Sequence, residues 1–151
     1  MFKTAKATMV ILTLGAVFFS KYFWIETFYH PVIKDFFPGN GALMVVVQHP
    51  PASGKALENW WMNKLKPMID QLPNPQQHDL KSIFVVNFNS GYKSLSFSEK
   101  DFSGESDEDY ICFEEIKSEK RCLLKDYPVF INVGSVYYSL HMGELTINLK
   151  K

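Results

Sequence analysis

The sequence has one arginine, Arg121, two cysteines, Cys112 and Cys122, and no acidic residue before Glu26. A lone guanidinium gives little support to recognition built on bidentate forks to phosphate or carboxylate. Excess basic charge is also missing. Sixteen Lys and Arg balance sixteen Asp and Glu, so the electrostatic footprint of a nucleic-acid binder is absent. There is no Gly-x-Ser-x-Gly elbow, no glycine-rich phosphate loop and no zinc-protease histidine pair. No catalytic residue is assigned, and the expectation is a protein that is not an enzyme. Histidines His30, His49, His78 and His141 are scattered and lack the spacing of metal ligands. No metal and no cofactor are expected.

What is present is apolar. Hydrophobic residues make up 46% of the 151, aromatics 15%, and Phe alone numbers 13. The chain can therefore bury a core, and its length fits one domain with a short appendage. The charge balance hides an asymmetry, because Lys3, Lys6 and Lys21 all precede the first acid. Without those three, 13 basic groups face 16 acidic ones, leaving a net charge of −3 for residues 22–151.

The appendage is the amino terminus. A short basic stretch ending at Lys6 precedes an uncharged apolar run, Ala7 to Ser20, which is the layout of a secretory signal. Bulky Phe18, Phe19, Tyr22, Phe23 and Trp24 follow where a cleavage site needs small residues. A helix from Ala7 to Ile25 spans ~28 Å at about 1.5 Å per residue, close to the ~30 Å of a bilayer core. Lys21 lies near its end, where it snorkels, and the aromatics form an interfacial belt. The expectation is an uncleaved anchor over residues 1–25, with a removed signal and a buried core helix as alternatives. By the positive-inside rule, the amino terminus lies in the cytoplasm and the carboxy-terminal domain in the periplasm, a single pass through the inner membrane.

Residues 26–40 hold Pro31, Pro38 and Gly39 among aromatics and are read as a connecting segment against the domain or the membrane surface. Residues 41–151 are read as the exported domain. Ala42 to His49 is a β-branched run that predicts a buried strand. Ser53 caps a helix whose apolar stripe is Leu57, Trp60, Trp61, Leu65, Met68 and Ile69, kinked or ended by Pro67. Ser82 to Phe88, a turn at Asn89-Ser90-Gly91, and Tyr92 to Phe97 read as a hairpin. Val129 to Val133, Val136 to Met142 and Leu145 to Leu149 close the chain as strands. The fold class expected is α+β, an antiparallel sheet of about five or six strands covered by one main helix.

Cys112 and Cys122 lie beyond the anchor, where an even pair favours a disulfide stapling the charged turn Glu114 to Arg121. Glu105, Asp107, Glu108 and Asp109 lack the ligand alternation of a calcium loop. They are read as a solvated acidic loop or as a docking surface for a basic protein partner. Trp60 and Trp61 point about 100° apart on a helix, so one is assigned to the core and Trp60 is a candidate exposed anchor for that partner.

Trp60-Trp61 followed by Asn63-Lys64-Leu65-Lys66, then Gly91-Tyr92 after a strand, then Cys112-Phe113-Glu114-Glu115-Ile116 with Cys122 downstream, form an order that resembles the enterobacterial domain-of-unknown-function family 943. The resemblance covers nearly the whole length. It departs at Pro67, where a helix-compatible residue is usual, and at Asn89-Ser90, where another glycine is common. It implies a layout of anchor, small exported domain and cysteine pair, and it carries over no catalytic residue. The function expected is capture of a protein partner at the membrane, as an immunity protein captures a toxin effector. The alternatives are a small envelope hydrolase and an accessory subunit of a membrane complex.

Overall fold

The β-branched and aromatic runs become strands. The computed structural model describes residues 30–73, 79–89, 91–95 and 107–151; the anchor expected over residues 1–25 lies outside them. Strands β1 (Val32–Pro38), β2 (Ala42–Gln48), β3 (Ser82–Asn87), β6 (Val129–Val133), β7 (Tyr137–Met142) and β8 (Leu145–Lys150) form one sheet in the order β1-β2-β3-β6-β7-β8. Two shorter strands, β4 (Tyr110–Cys112) and β5 (Cys122–Leu124), pair separately. The structure thus has the expected α+β character and a six-stranded sheet, but the sheet is mixed. β2 and β3 run parallel because the chain between them travels back over the sheet as the helix, the crossover that a parallel pair requires.

That helix runs as α1 (Gly54–Trp60), a π turn (Trp61–Leu65) and α2 (Lys66–Ile69). Ser53 caps it, accepting from the Ala56 amide at 3.3 Å. Pro67 neither ends the helix nor interrupts its burial. Proline lacks the N–H of an ordinary helical turn, and the wider turn before it, with the Lys66 amide bonding Trp61 O, absorbs the misfit. Leu57, Trp60, Trp61, Leu65 and Ile69 are all buried, whereas Met68 is exposed. Trp60 is therefore no exposed anchor. The midline of the buried stripe passes between the two tryptophans, placing each about 50° from it, and a sheet this wide covers both.

β1 corrects the domain boundary. Residues 26–40 were expected as a connecting segment, yet Val32–Pro38 is an edge strand and the compact unit starts at Pro31. The sequence concealed it because Ile33 and Phe36, three apart, both pack toward the helix. Strands alternate with period two, so this spacing demands a bulge, and the register shifts between Ile33 and Asp35.

The expected hairpin after β3 does not form among the described residues. Both edges of β3 are taken by β2 and β6, so the chain after Gly91 leaves the sheet and Lys93 bridges Cys122 instead. This piece and β4–β5 make a third layer. Helix and sheet enclose one core, including Val45, Trp61, Ile83, Ile131 and Leu140. On the opposite face Val46 and Val86 meet Phe113 and Leu123 of the third layer. Phe113 stacks on Phe37, ring centroids 3.9 Å apart, and meets Tyr92 edge-on. Cys112 and Cys122 stand opposite each other in β4–β5 and are disulfide-bonded, with Cα atoms 4.0 Å apart.

Tyr92 ties this layer to β1, its hydroxyl donating to Asp35 Oδ2 at 2.6 Å. Burial, then the bond to Asp35, pushes its phenol well above the ordinary value of 10.0. The folded state thus holds a proton that the unfolded chain releases near pH 10. Stability from this group is complete below pH 10 and drains as pH rises above it. Tyr92→Phe should lower the unfolding free energy by about 1 to 3 kcal/mol near neutral pH. It should also flatten the fall above pH 10, as chemical denaturation at a series of pH values reads directly.

Candidate functional site

The third layer covers β1, β2 and the Val86 end of β3, and side chains on the same face from Ser82 and Phe84 of β3 across to β8 form a surface of different character. Period-two alternation places Ile83, Val129, Ile131 and Leu140 under the helix, so Phe84, Phe130, Ser139, His141 and Thr146 face the other way. The register lines them up: Phe84 opposite Phe130, Phe130 opposite His141, and His141 opposite Thr146.

These residues make a continuous row of rings. Tyr127, on the approach to β6, meets Phe84 edge-on with centroids 6.0 Å apart. Phe84 and Phe130 are 5.1 Å apart and tilted, and Phe130 stacks with His141 at 5.8 Å. His141 Nδ1 lies 3.0 Å from Thr146 Oγ1, which fixes the ring plane. A second row is polar: Ser82, Asn132, Ser139 and Asn148 are successive register partners, and Ser139 Oγ donates to Asn148 Oδ1 at 2.7 Å. Phe84, Phe130 and His141 are half-buried, while Tyr127 and Tyr137 are 40% and 51% exposed. Partial burial raises the Tyr127 phenol above its ordinary value, so it remains a neutral donor at physiological pH. An apolar strip flanked by hydroxyls and amides matches the composition of protein-interface cores, where aromatics are enriched.

Of the acidic residues singled out from sequence, Glu108 and Asp109 are held beside the connection that leads into β6. Asp107–Asp109 is a single 3-10 turn leading into β4, and Glu108 and Asp109 are exposed. The Lys125 ammonium donates to Glu108 O, and the Lys125 amide to Asp109 O at 2.7 Å. Tyr127 follows two residues later, so the acidic turn and the ring row share one connection. Glu105 and the side chain of Asp107 lie outside the described residues. Trp60, the remaining candidate, is only 4% exposed and contributes no surface.

The sequence reading missed Tyr127, Phe84, Phe130 and His141. Part of the signal was available: in β3, β6 and β7 the positions opposite the core-facing ones include Phe84, Phe130 and His141 instead of the charges usual on a solvated face. A cleft of about 450 Å³ at the far end of the sheet, lined by Leu80, Lys81, Tyr138 and Lys151 among others, holds exposed lysines and no buried polar side chain. Among the described residues no group of three or more His, Cys, Asp or Glu side chains is placed to hold a metal ion. No helix among them is long and apolar enough to cross a membrane.

Over residues 2–150 the sequence matches the family described as "Enterobacterial putative membrane protein (DUF943)". No curated protein and no solved structure matches it.

Proposed function

Because the chain belongs to this enterobacterial family, we propose that it is a non-enzymatic binding module, tethered to the inner membrane, whose periplasmic domain captures a protein partner. The observation that carries this reading is the half-exposed row Tyr127, Phe84, Phe130 and His141. Rigid rings with a polar border supply contact area at low entropic cost, as binding hot spots do. The tether is the apolar segment of residues 1–25, with Lys3 and Lys6 holding the amino terminus in the cytoplasm. It confines the domain to one membrane face and raises its effective concentration there without added affinity. The net charge of −3 after residue 21 and the acids Glu105, Asp107, Glu108 and Asp109 favour a basic partner, whose approach they steer.

The most specific form of this reading is an immunity protein that blocks a toxin effector delivered to the periplasm. Co-expression with the product of the adjacent gene should relieve that product's toxicity. Tyr127→Ala and Phe130→Ala should each weaken capture by about tenfold or more, while neutralising the four acids should slow association most at low salt. An alkaline phosphatase fused after Lys151 should be active. If the neighbouring product is harmless and the full-length chain captures no protein, the immunity reading fails, and a small envelope hydrolase or an accessory subunit replaces it.

A further inference from the structure

The two edges of the six-stranded sheet are built differently. β1 is blunted in the ways that keep an edge from pairing: a bulge at Lys34, charges at Lys34 and Asp35, and Pro38 at its end. β8 has neither a bulge nor a proline. Its six residues follow β7 without a register shift, contain no proline, and carry one charge, Lys150, at the end.

The Lys151 amide donates to Val136 O at 2.9 Å, which sets the alternation of the β7–β8 ladder. Leu145, Ile147 and Leu149 turn their backbone groups toward β7; Thr146, Asn148 and Lys150 turn theirs outward. Among the described residues no strand lies beyond β8. The outward N–H and C=O groups of those three residues form a template for one more strand.

We propose that this strand is β8 of a second copy of the chain, antiparallel across a twofold axis through Asn148. β8 complements itself in that register. All three outward residues are engaged, with Thr146 opposite Lys150 of the partner subunit, so no like charges face each other. Ile147 meets Leu149 of the partner subunit twice by symmetry, and Leu145, 40% exposed in one copy, lies beside this apolar pair. Asn148 faces its own mate. Its Oδ1 already accepts from Ser139, and its amide N–H groups remain to donate to the second Oδ1. A self-complementary patch of this kind closes as a dimer. The ring row of each copy then lies on one continuous twelve-stranded surface.

The full-length chain in detergent micelles tests the register. In a hydrogen-bonded antiparallel pair the two Asn148 Cα atoms stand about 5.5 Å apart, within disulfide reach. Two Thr146 sites are offset along the strands by about 14 Å, beyond it. Under oxidation Asn148→Cys should give a reducible dimer band and Thr146→Cys should not. Asn148→Lys and Asn148→Glu, at an exposed side chain whose backbone groups take no part in the β7 ladder, forfeit only the Ser139 bond and should each abolish the parent dimer, while their mixture restores it. A dimer that persists in both charge variants, equal crosslinking at 146 and 148, or a monomeric parent chain overturns the proposal. None of these outcomes depends on whether the ring row binds a partner.

Discussion

Trp61→Ala should lower the unfolding free energy by about 3 to 5 kcal/mol, the range for truncating a buried aromatic. Trp61 is fully buried at the centre of the helix–sheet core, and its ring packs on Tyr138 with centroids 4.8 Å apart. Relaxation cannot fill the space easily, because the residues around it, Leu57, Leu65, Val85 and Ile131, are themselves buried on rigid elements. Trp60→Ala should cost nearly as much, which separates this structure from one with an exposed Trp60. Both indole N–H groups are buried without a hydrogen-bond partner among the described residues, so Trp→Phe at either site removes an unsatisfied donor and should cost far less than alanine. Denaturant titration of the four variants reads the ranking. A loss below about 1 kcal/mol for Trp60→Ala would place that ring at the surface.

The second large effect belongs to the disulfide. Cys112 and Cys122 are ten residues apart, and opening a loop of that size returns about 3 kcal/mol of chain entropy to the unfolded state. The loss should be local in its first consequence. The third layer is held by Phe113, Leu123 and the Tyr92–Asp35 bond, and the Glu114–Arg121 turn beyond the bridge is almost wholly exposed. Amide exchange after reduction should therefore accelerate in β4 and β5 before the six-stranded sheet responds. Thiol trapping on protein from its native compartment should find both cysteines blocked only after reduction. Uniform acceleration across β2, β3 and β6 would mean that the bridge stabilises the whole domain as one unit.

Much of the architecture was legible in local sequence. Ala42 to Gln48 and Val129 to Val133 are too rich in β-branched residues to be anything but strands, and Ser53 with the Leu57–Ile69 stripe marks a helix. Pairing was less legible, since strand type does not reveal strand neighbours. The parallel β2–β3 pair follows from the helix crossing between them, a tertiary fact. β1 escaped notice because its bulge breaks the period on which strand recognition rests. Trp60 was misplaced by treating a helix stripe as one residue wide. Ser82 to Phe97 read as a hairpin because its turn chemistry is right; the competing claim of β6 on the same edge lies far along the chain. The candidate surface was the least visible, because Tyr127, Phe84, Phe130 and His141 become neighbours only when three strands and a connection are brought into register.

The parallel placement of β3 also constrains the order of assembly. β1–β2 and β6–β7–β8 are joined by short connections and can zip up locally, and so can β4–β5. β3 alone has no partner nearby: Ser82 pairs with Ala42 on one side and Asn132 on the other. Closing those long loops costs entropy before any strand contact compensates it. The two halves must therefore wait for β3 to join them, and until β6 has emerged, Ile83 and Val85 have no complete site to fill. For a chain synthesised amino terminus first, the sheet is completed only once nearly all of it has emerged.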